Sequence, residues 1–314
     1  MEDGLNVFLR FALYLDLTLL AGLPLICMVG FPRESGQVAT AIGLRGLLMA
    51  ATGAGLGLSL CHMVMLAMVM SGASSLDELG RHIFSMMITA TDLGIAWAVR
   101  MVSLMLVGVL AVFGRQRRAG WLTLAAAPGL VSLGTIAWSG HGAMDEGGRR
   151  YLHFTADIVH LIAAAAWIGA LATFALLLRP GQPASPLQLR RLQAGLSRFA
   201  WIGTAIVLAL VVTGVANYLL IAGPRVSGLI STQYGLLLLA KLALFALMLA
   251  LAAANRYRLT PMLARTLGAG HPAAALSALR RSVALETSAA LLILAAVAWL
   301  GTLDPSQAMT SPLP

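Results

Sequence analysis

Tyr151-Leu-His-Phe-Thr-Ala-Asp-Ile-Val-His160 opens an otherwise apolar run that continues to Leu178. A run of this length is what an α-helix needs to cross the roughly 30 Å hydrocarbon core of a bilayer. On such a helix His153, Asp157 and His160 stand at i, i+4 and i+7 and share one face. The two histidines are then about 10 Å apart along the axis. An ionisable group costs roughly 2.5–3.5 kcal/mol or more at the centre of a membrane helix, so a stripe of three marks a site or a water-lined cavity. Imidazole and carboxylate are also the ligands that copper, zinc and iron prefer.

The rest of the chain carries the same apolar signal. Of its 314 residues 59% are hydrophobic and only 11% charged, against about 25% charged in soluble domains, and its mean hydropathy is +0.87. Eight stretches of spanning length can be marked, at about 5–30, 42–70, 92–113, 120–138, 153–178, 199–222, 234–254 and 282–303. Strands are excluded as spans, because an open strand edge in lipid leaves backbone groups unpaired. The chain is therefore expected to be an all-α integral membrane protein with eight transmembrane helices. Its acidic start, Met1-Glu2-Asp3-Gly4, differs from the basic head of a signal peptide, so the first stretch is expected to be retained.

The net charge of +9 follows the connections between stretches. Fourteen arginines, from Arg33 to Arg281, fall between stretches 1 and 2, 3 and 4, 5 and 6, and 7 and 8. Only Arg81, Arg149, Arg150 and Arg225 fall on the opposite side. The positive-inside rule then puts both termini and the even-to-odd connections outside. This basic charge is topology and does not predict nucleic-acid binding. Cys27 and Cys61 fall at different depths, so two free cysteines are expected rather than a disulfide.

An internal repeat is suggested at an offset of 141 residues. Thr91-x-x-Gly94-x5-Arg100 matches Thr232-x-x-Gly235-x5-Lys241, and Asp16 maps onto Asp157. A looser echo pairs Ala137-Trp138-x-Gly140 with Ala298-Trp299-x-Gly301. The expected organisation is two tandem four-helix halves in parallel orientation, 1–138 and 139–314, with the core of the second at about 153–303. An even number of helices per copy keeps both copies the same way up. His153 and His160 stand where the first copy has Ala12 and Leu19, so metal-type ligands are concentrated in the second.

Five of the six histidines fall toward the outer side: His62, His82, His141, His153 and His160. Around them lie Met63, Met65, Met68, Met70, Met86, Met87 and Met144. Thioether sulfur suits Cu(I), while imidazole and carboxylate also suit Cu(II). Methionine is equally a filler of apolar cores, so capture of copper and simple packing are both open for these residues. His82 and His271 read as solvated loop residues. Asp16 with Arg10 or Arg100, and Asp157 with Lys241, are candidate buried pairs, and Glu286 is a further intramembrane charge. No H-E-x-x-H, G-x-x-x-x-G-K-[ST] or G-x-S-x-G motif is present, and the chain is expected not to be an enzyme.

An ordered series of segments resembles the CopD family of bacterial copper-resistance membrane proteins. It comprises Ser139-Gly-His-Gly142, Ile158-Val-His-Leu-Ile-Ala-Ala-Ala-Ala-Trp-Ile-Gly169, Arg198-Phe-Ala200, Thr213-Gly214, Thr232-Gln-Tyr-Gly-Leu-Leu-Leu-Leu-Ala-Lys241, Asn255-Arg256 and Leu285-Glu286. The resemblance implies an inner-membrane protein that handles copper with a periplasmic copper-binding partner of the CopC type, chiefly for uptake. It makes His141, His153 and His160 the leading copper ligands, with Asp157 beside them. The competing reading is a b-type haem protein in which His62 and His160, each roughly 12 Å below the outer end of its helix, ligate one iron.

Overall fold

The computed structural model describes residues 2–72, 81–114, 120–140, 147–179, 186–223 and 229–303; these form helices and turns, with no strand among them. The helices are α1 (Glu2–Gly30), α2 (Ser35–Ala41), α3 (Leu44–Ser71), α4 (Arg81–Ala90), α5 (Asp92–Phe113) and α6 (Trp121–Gly134). There follow α7 (Gly147–Leu177), α8 (Pro186–Ile221), α9 (Gln233–Ala254), α10 (Thr260–Gly268) and α11 (Ala273–Leu300). A 3-10 turn, Thr135–Ser139, extends α6, and a π-helical segment, Asn255–Leu259, joins α9 to α10. Eight helices are long and apolar enough to span: α1, α3, α5, α6 with its 3-10 turn, α7, α8, α9 continued by α10, and α11. The protein is all-α and multi-pass, as its composition predicts.

Several helices overrun the apolar stretches that announce them. α8 has 36 residues, or about 54 Å at 1.5 Å per residue, against a hydrocarbon core of roughly 30 Å. Its first turns, Pro186 to Arg198, carry Arg190, Arg191 and Arg198. Arginine, leucine and glutamine are good helix formers, so the helix continues into water after the apolar pattern stops. α7 and α11 likewise begin ahead of their apolar runs, at Gly147 and Ala273. The short helices α2, α4 and α10 lie in connections the apolar pattern leaves blank. Cys27 is buried, Cys61 is exposed, and both are free.

Two of the repeated motifs do the same local work. Thr91 accepts from the Gly94 amide at 3.0 Å and caps α5, and Thr232 accepts from the Gly235 amide at 3.1 Å and caps α9. Each threonine satisfies an amide that a helix start would leave without a partner.

α1 is the hub of the bundle. It packs against α3, α6, α7 and α11. The first four spans close a ring, α1 on α3, α3 on α5, α5 on α6 and α6 back on α1. In the second half α7 holds α8 and α11, and α11 holds α9. Arg256, on the π-helical segment after α9, ties that segment to the middle of α8, donating to the Ala200 carbonyl at 2.9 Å and the Thr204 hydroxyl at 2.8 Å.

The α1–α7 contact depends on missing side chains. A Cβ on Gly22 would overlap the Ala165 carbonyl of α7, and one on Gly169 would overlap the backbone of Gly22. Association of apolar helices in lipid is driven by close packing of this kind, since lipid tails already solvate leucine. Leu13, Leu17, Leu20 and Ile26 of α1 are fully buried beside it, in one core with Ala166, Trp167 and Phe174 of α7. Gly22→Ala is therefore expected to destabilise the detergent-purified protein by about 1–3 kcal/mol or more. Gly46→Ala, where nothing lies within 4 Å of the new Cβ, should be neutral or slightly stabilising. Thermal unfolding of the two variants side by side reads the difference.

Candidate metal site

The stripe on α7 forms a polar seam with α8. The Nε2 atom of fully buried His153 lies 3.8 Å from Oδ2 of Asp157, one turn along. The other carboxylate oxygen of Asp157 accepts from Nδ2 of Asn217, on α8, at 2.7 Å. One turn further, Nδ1 of His160 lies 2.8 Å from the hydroxyl of Thr213, also on α8. Thr213 and Asn217 are four residues apart and so share a face, which is the face turned to α7.

The Thr213 bond selects a tautomer. Its single hydroxyl proton goes to the Ala209 carbonyl at 2.5 Å. Thr213 must then accept from the Nδ1–H of His160, which leaves the lone pair on Nε2 available. A hydrogen bond behind a ring nitrogen is how metal-ligating histidines are oriented. Two glycines adjoin the seam: a Cβ on Gly214 would come 3.7 Å from Cε1 of His160, and one on Gly140 would come 3.7 Å from Oδ2 of Asp157, both ordinary contact distances. Lys241 of α9 acts on both Asp157 and His160 through its charge. The seam thus draws on α7, α8 and α9, with the end of the α6 span against it.

Thr213 and Asn217 were not singled out as site residues from the sequence, although Thr213-Gly214 belongs to the series of segments above. Two uncharged polar residues at i and i+4 in an apolar run are the signal that points to them. His141 follows Gly140 and lies outside the described residues, as does Met144. Among the described residues, no three of His, Cys, Asp and Glu are grouped closely enough to hold a metal ion together.

The remaining candidates are dispersed. His82 is exposed near the start of α4. Met63 and Met87 pack into a small core with Ala67, flanked by Phe84 and Trp97, whereas Met70 and Met86 are exposed. These methionines do not form one basin. His271 is exposed beside α10, its Nδ1 2.8 Å from the Ala269 carbonyl.

His62 belongs to the other half. With Arg100, Trp97 and Leu93 it lines a cavity of about 10 Å³, room for one water, and it is under the charge of Arg10 and Arg100. α3, which carries it, packs on α1, α5 and α4, while α7, which carries His160, packs on α1, α8 and α11. Equal depth in the membrane does not make His62 and His160 neighbours, and the haem reading finds no support.

The pairings expected for Asp16 do not form either. Arg10 donates to the Gly301 carbonyl at 2.7 Å, and Nε of Arg100 donates to the Thr135 hydroxyl at 2.8 Å. Oδ2 of Asp16 is buried without a hydrogen-bond partner, against Gly55 of α3. Asp157 takes Asn217 and His153 as its direct partners, with Lys241 as a charge behind them. Nδ2 of Asn255 donates to the buried carboxylate of Glu286 across α9 and α11.

Comparison with known proteins gives the family. Residues 193–300 match the family model described as Copper resistance protein D, and residues 1–151 match that of the Copper resistance protein D-like, N-terminal domain. Copper resistance protein D of Pseudomonas syringae pv. tomato is 46% identical over 308 residues, covering 97% of this chain and 98% of its own length. Inner membrane protein YebZ of Escherichia coli (strain K12) is 38% identical over 128 residues, 40% of this chain and 42% of its own. No solved structure matches. With one relative aligned end to end and family models at both ends of its sequence, the chain belongs to the copper resistance protein D family.

Proposed function

We propose that this protein takes copper from a periplasmic CopC-like carrier and relays it inward across the bacterial inner membrane, with His153, Asp157, His160 and His141 forming its binding site. The observation that carries the reading is the clamp of α8 on the α7 stripe: Thr213 holds His160 and Asn217 holds Asp157. Buried ionisable groups in a membrane helix mark an ion pathway, and these are N and O donors that suit copper. The name of the full-length relative, Copper resistance protein D, supports the cargo. That of the partial relative, an inner membrane protein, supports the compartment. His82 and exposed Met70 and Met86 would meet copper at the outer surface before the stripe, and His62 would serve the first half.

The orientation in this reading follows the arginine distribution, with both termini periplasmic. The stripe then lies in the outer half of the membrane, where a periplasmic carrier delivers. The two halves, 1–138 and 139–314, are read as a tandem duplication in parallel orientation, supported by the matched threonine caps and by Asp16 and Asp157 on the two helices that cross. Copper passes as an ion, with no covalent chemistry on the chain.

The double variant His153→Ala, His160→Ala is expected to lose copper-dependent accumulation in cells while inserting normally. Unchanged accumulation with correctly inserted protein would sink the proposal. Protons compete with copper for imidazole, so binding by the wild type should weaken as pH falls and recover as it rises. Copper titration of purified protein between pH 5.5 and 7.5 gives the sign directly. Thr213→Val with Asn217→Leu leaves every ligand in place but removes the hydrogen bonds behind them. It is expected to weaken copper affinity about 10- to 100-fold, measured by competition with a chelator of known strength.

A further inference from the structure

A second polar site sits at the opposite, inner face. Where α2, the end of α7, the start of α8 and the start of α11 meet, a cavity of about 190 Å³ is lined by Gln37, Arg179, Gln188, Arg191 and Arg280, with Leu276 among its apolar walls. It is several times larger than the roughly 30 Å³ share of one water. Three arginines line it, from three parts of the chain. Among the described residues one carboxylate answers them: Oε2 of Glu34 lies 3.4 Å from Nε of Arg191. The lining is cationic in excess.

Two of the arginines are anchored in place. Nε of Arg280 donates to the Leu178 carbonyl at 2.7 Å, which caps the end of α7 and leaves both terminal amino groups for a ligand. Nε of Arg191 is buried and has no hydrogen bond beyond the longer Glu34 contact. Arg179 is exposed at the rim. Gln188 stands in the first turn of α8, so the positive end of that helix dipole adds to the field. Arginine forks bind phosphate oxygens in pairs, and basic pockets between membrane helices on the cytoplasmic side hold anionic headgroups.

We infer that this cavity binds a phosphate-bearing anion, an anionic phospholipid headgroup or free phosphate, through Arg179, Arg191 and Arg280. The occupant ties α2, from the first half of the chain, to three helices of the second. The inference is independent of copper, since no residue of the α7 stripe lines the cavity.

The test uses the detergent-purified full chain and native mass spectrometry. The probes are dihexanoyl phosphatidylglycerol, dihexanoyl phosphatidylcholine and inorganic phosphate. Preferential retention of phosphatidylglycerol by the wild type identifies a lipid site, and retention of phosphate alone identifies a free-anion site. In either case Arg179→Gln with Arg191→Gln is expected to weaken binding at least about tenfold. Arg179→Gln alone should weaken it about threefold; this side chain has no bond among the described residues, so folding is not at stake. Arg258→Gln, on the exposed π segment outside the cavity, should change nothing. Equal retention of the two lipids with no phosphate bound, or full retention by the double variant, overturns the inference. So does a loss in Arg258→Gln as large as that in the cavity variants, because general surface charge would then account for the binding.

Discussion

Everything in this protein is hung on one close approach, the crossing of α1 and α7 at Gly22 and Gly169. In water, two apolar helices are pushed together by the solvent; in lipid they are not, and only tight packing and polar contacts hold them. Removing both Cβ atoms lets the backbones meet and places the leucines of α1 and the aromatic rings of α7 in one core. The same crossing determines where the polar face of α7 can point. With one side of α7 committed to α1, the stripe of His153, Asp157 and His160 is left to meet α8, where Thr213 and Asn217 receive it.

The polar groups on either side of this crossing have different surroundings. In the second half, Asp157 is hydrogen-bonded and flanked by two histidines, with Lys241 as a counter-charge. In the first, Asp16 faces a glycine and the nearby cations are spent on backbone and hydroxyl oxygens. The first four spans close a ring that includes α1, while His153, Asp157 and His160 lie on α7 in the more sparsely packed remainder.

The membrane class, the number of spans and the α7 stripe were all legible in the sequence, because lipid enforces them. Apolar length is a requirement there, and a 3.6-residue period puts His153, Asp157 and His160 on one face wherever the helix sits. Helix ends were less legible, since Pro186–Arg198 of α8 lies beyond the hydrocarbon and no longer obeys its rule. Azimuth was not legible at all. His62 and His160 were matched by depth, yet α1 stands between their helices, and Asp16 sits within reach of arginines that turn elsewhere. Thr213 and Asn217 escaped notice because neutral residues cost little in an apolar run and so stand out less than a charge does.

The bond from Arg10 to the Gly301 carbonyl joins the first helix to the end of the last. During synthesis α1 enters the membrane long before α7 or α11 exists. Until they arrive, its guanidinium and the Asp16 carboxylate have only α3, α5 and α6 to shelter them, and charges left toward lipid are costly. Assembly is therefore completed from the far end of the chain, and a protein cut short after its first half is a substrate for quality control rather than a smaller working unit.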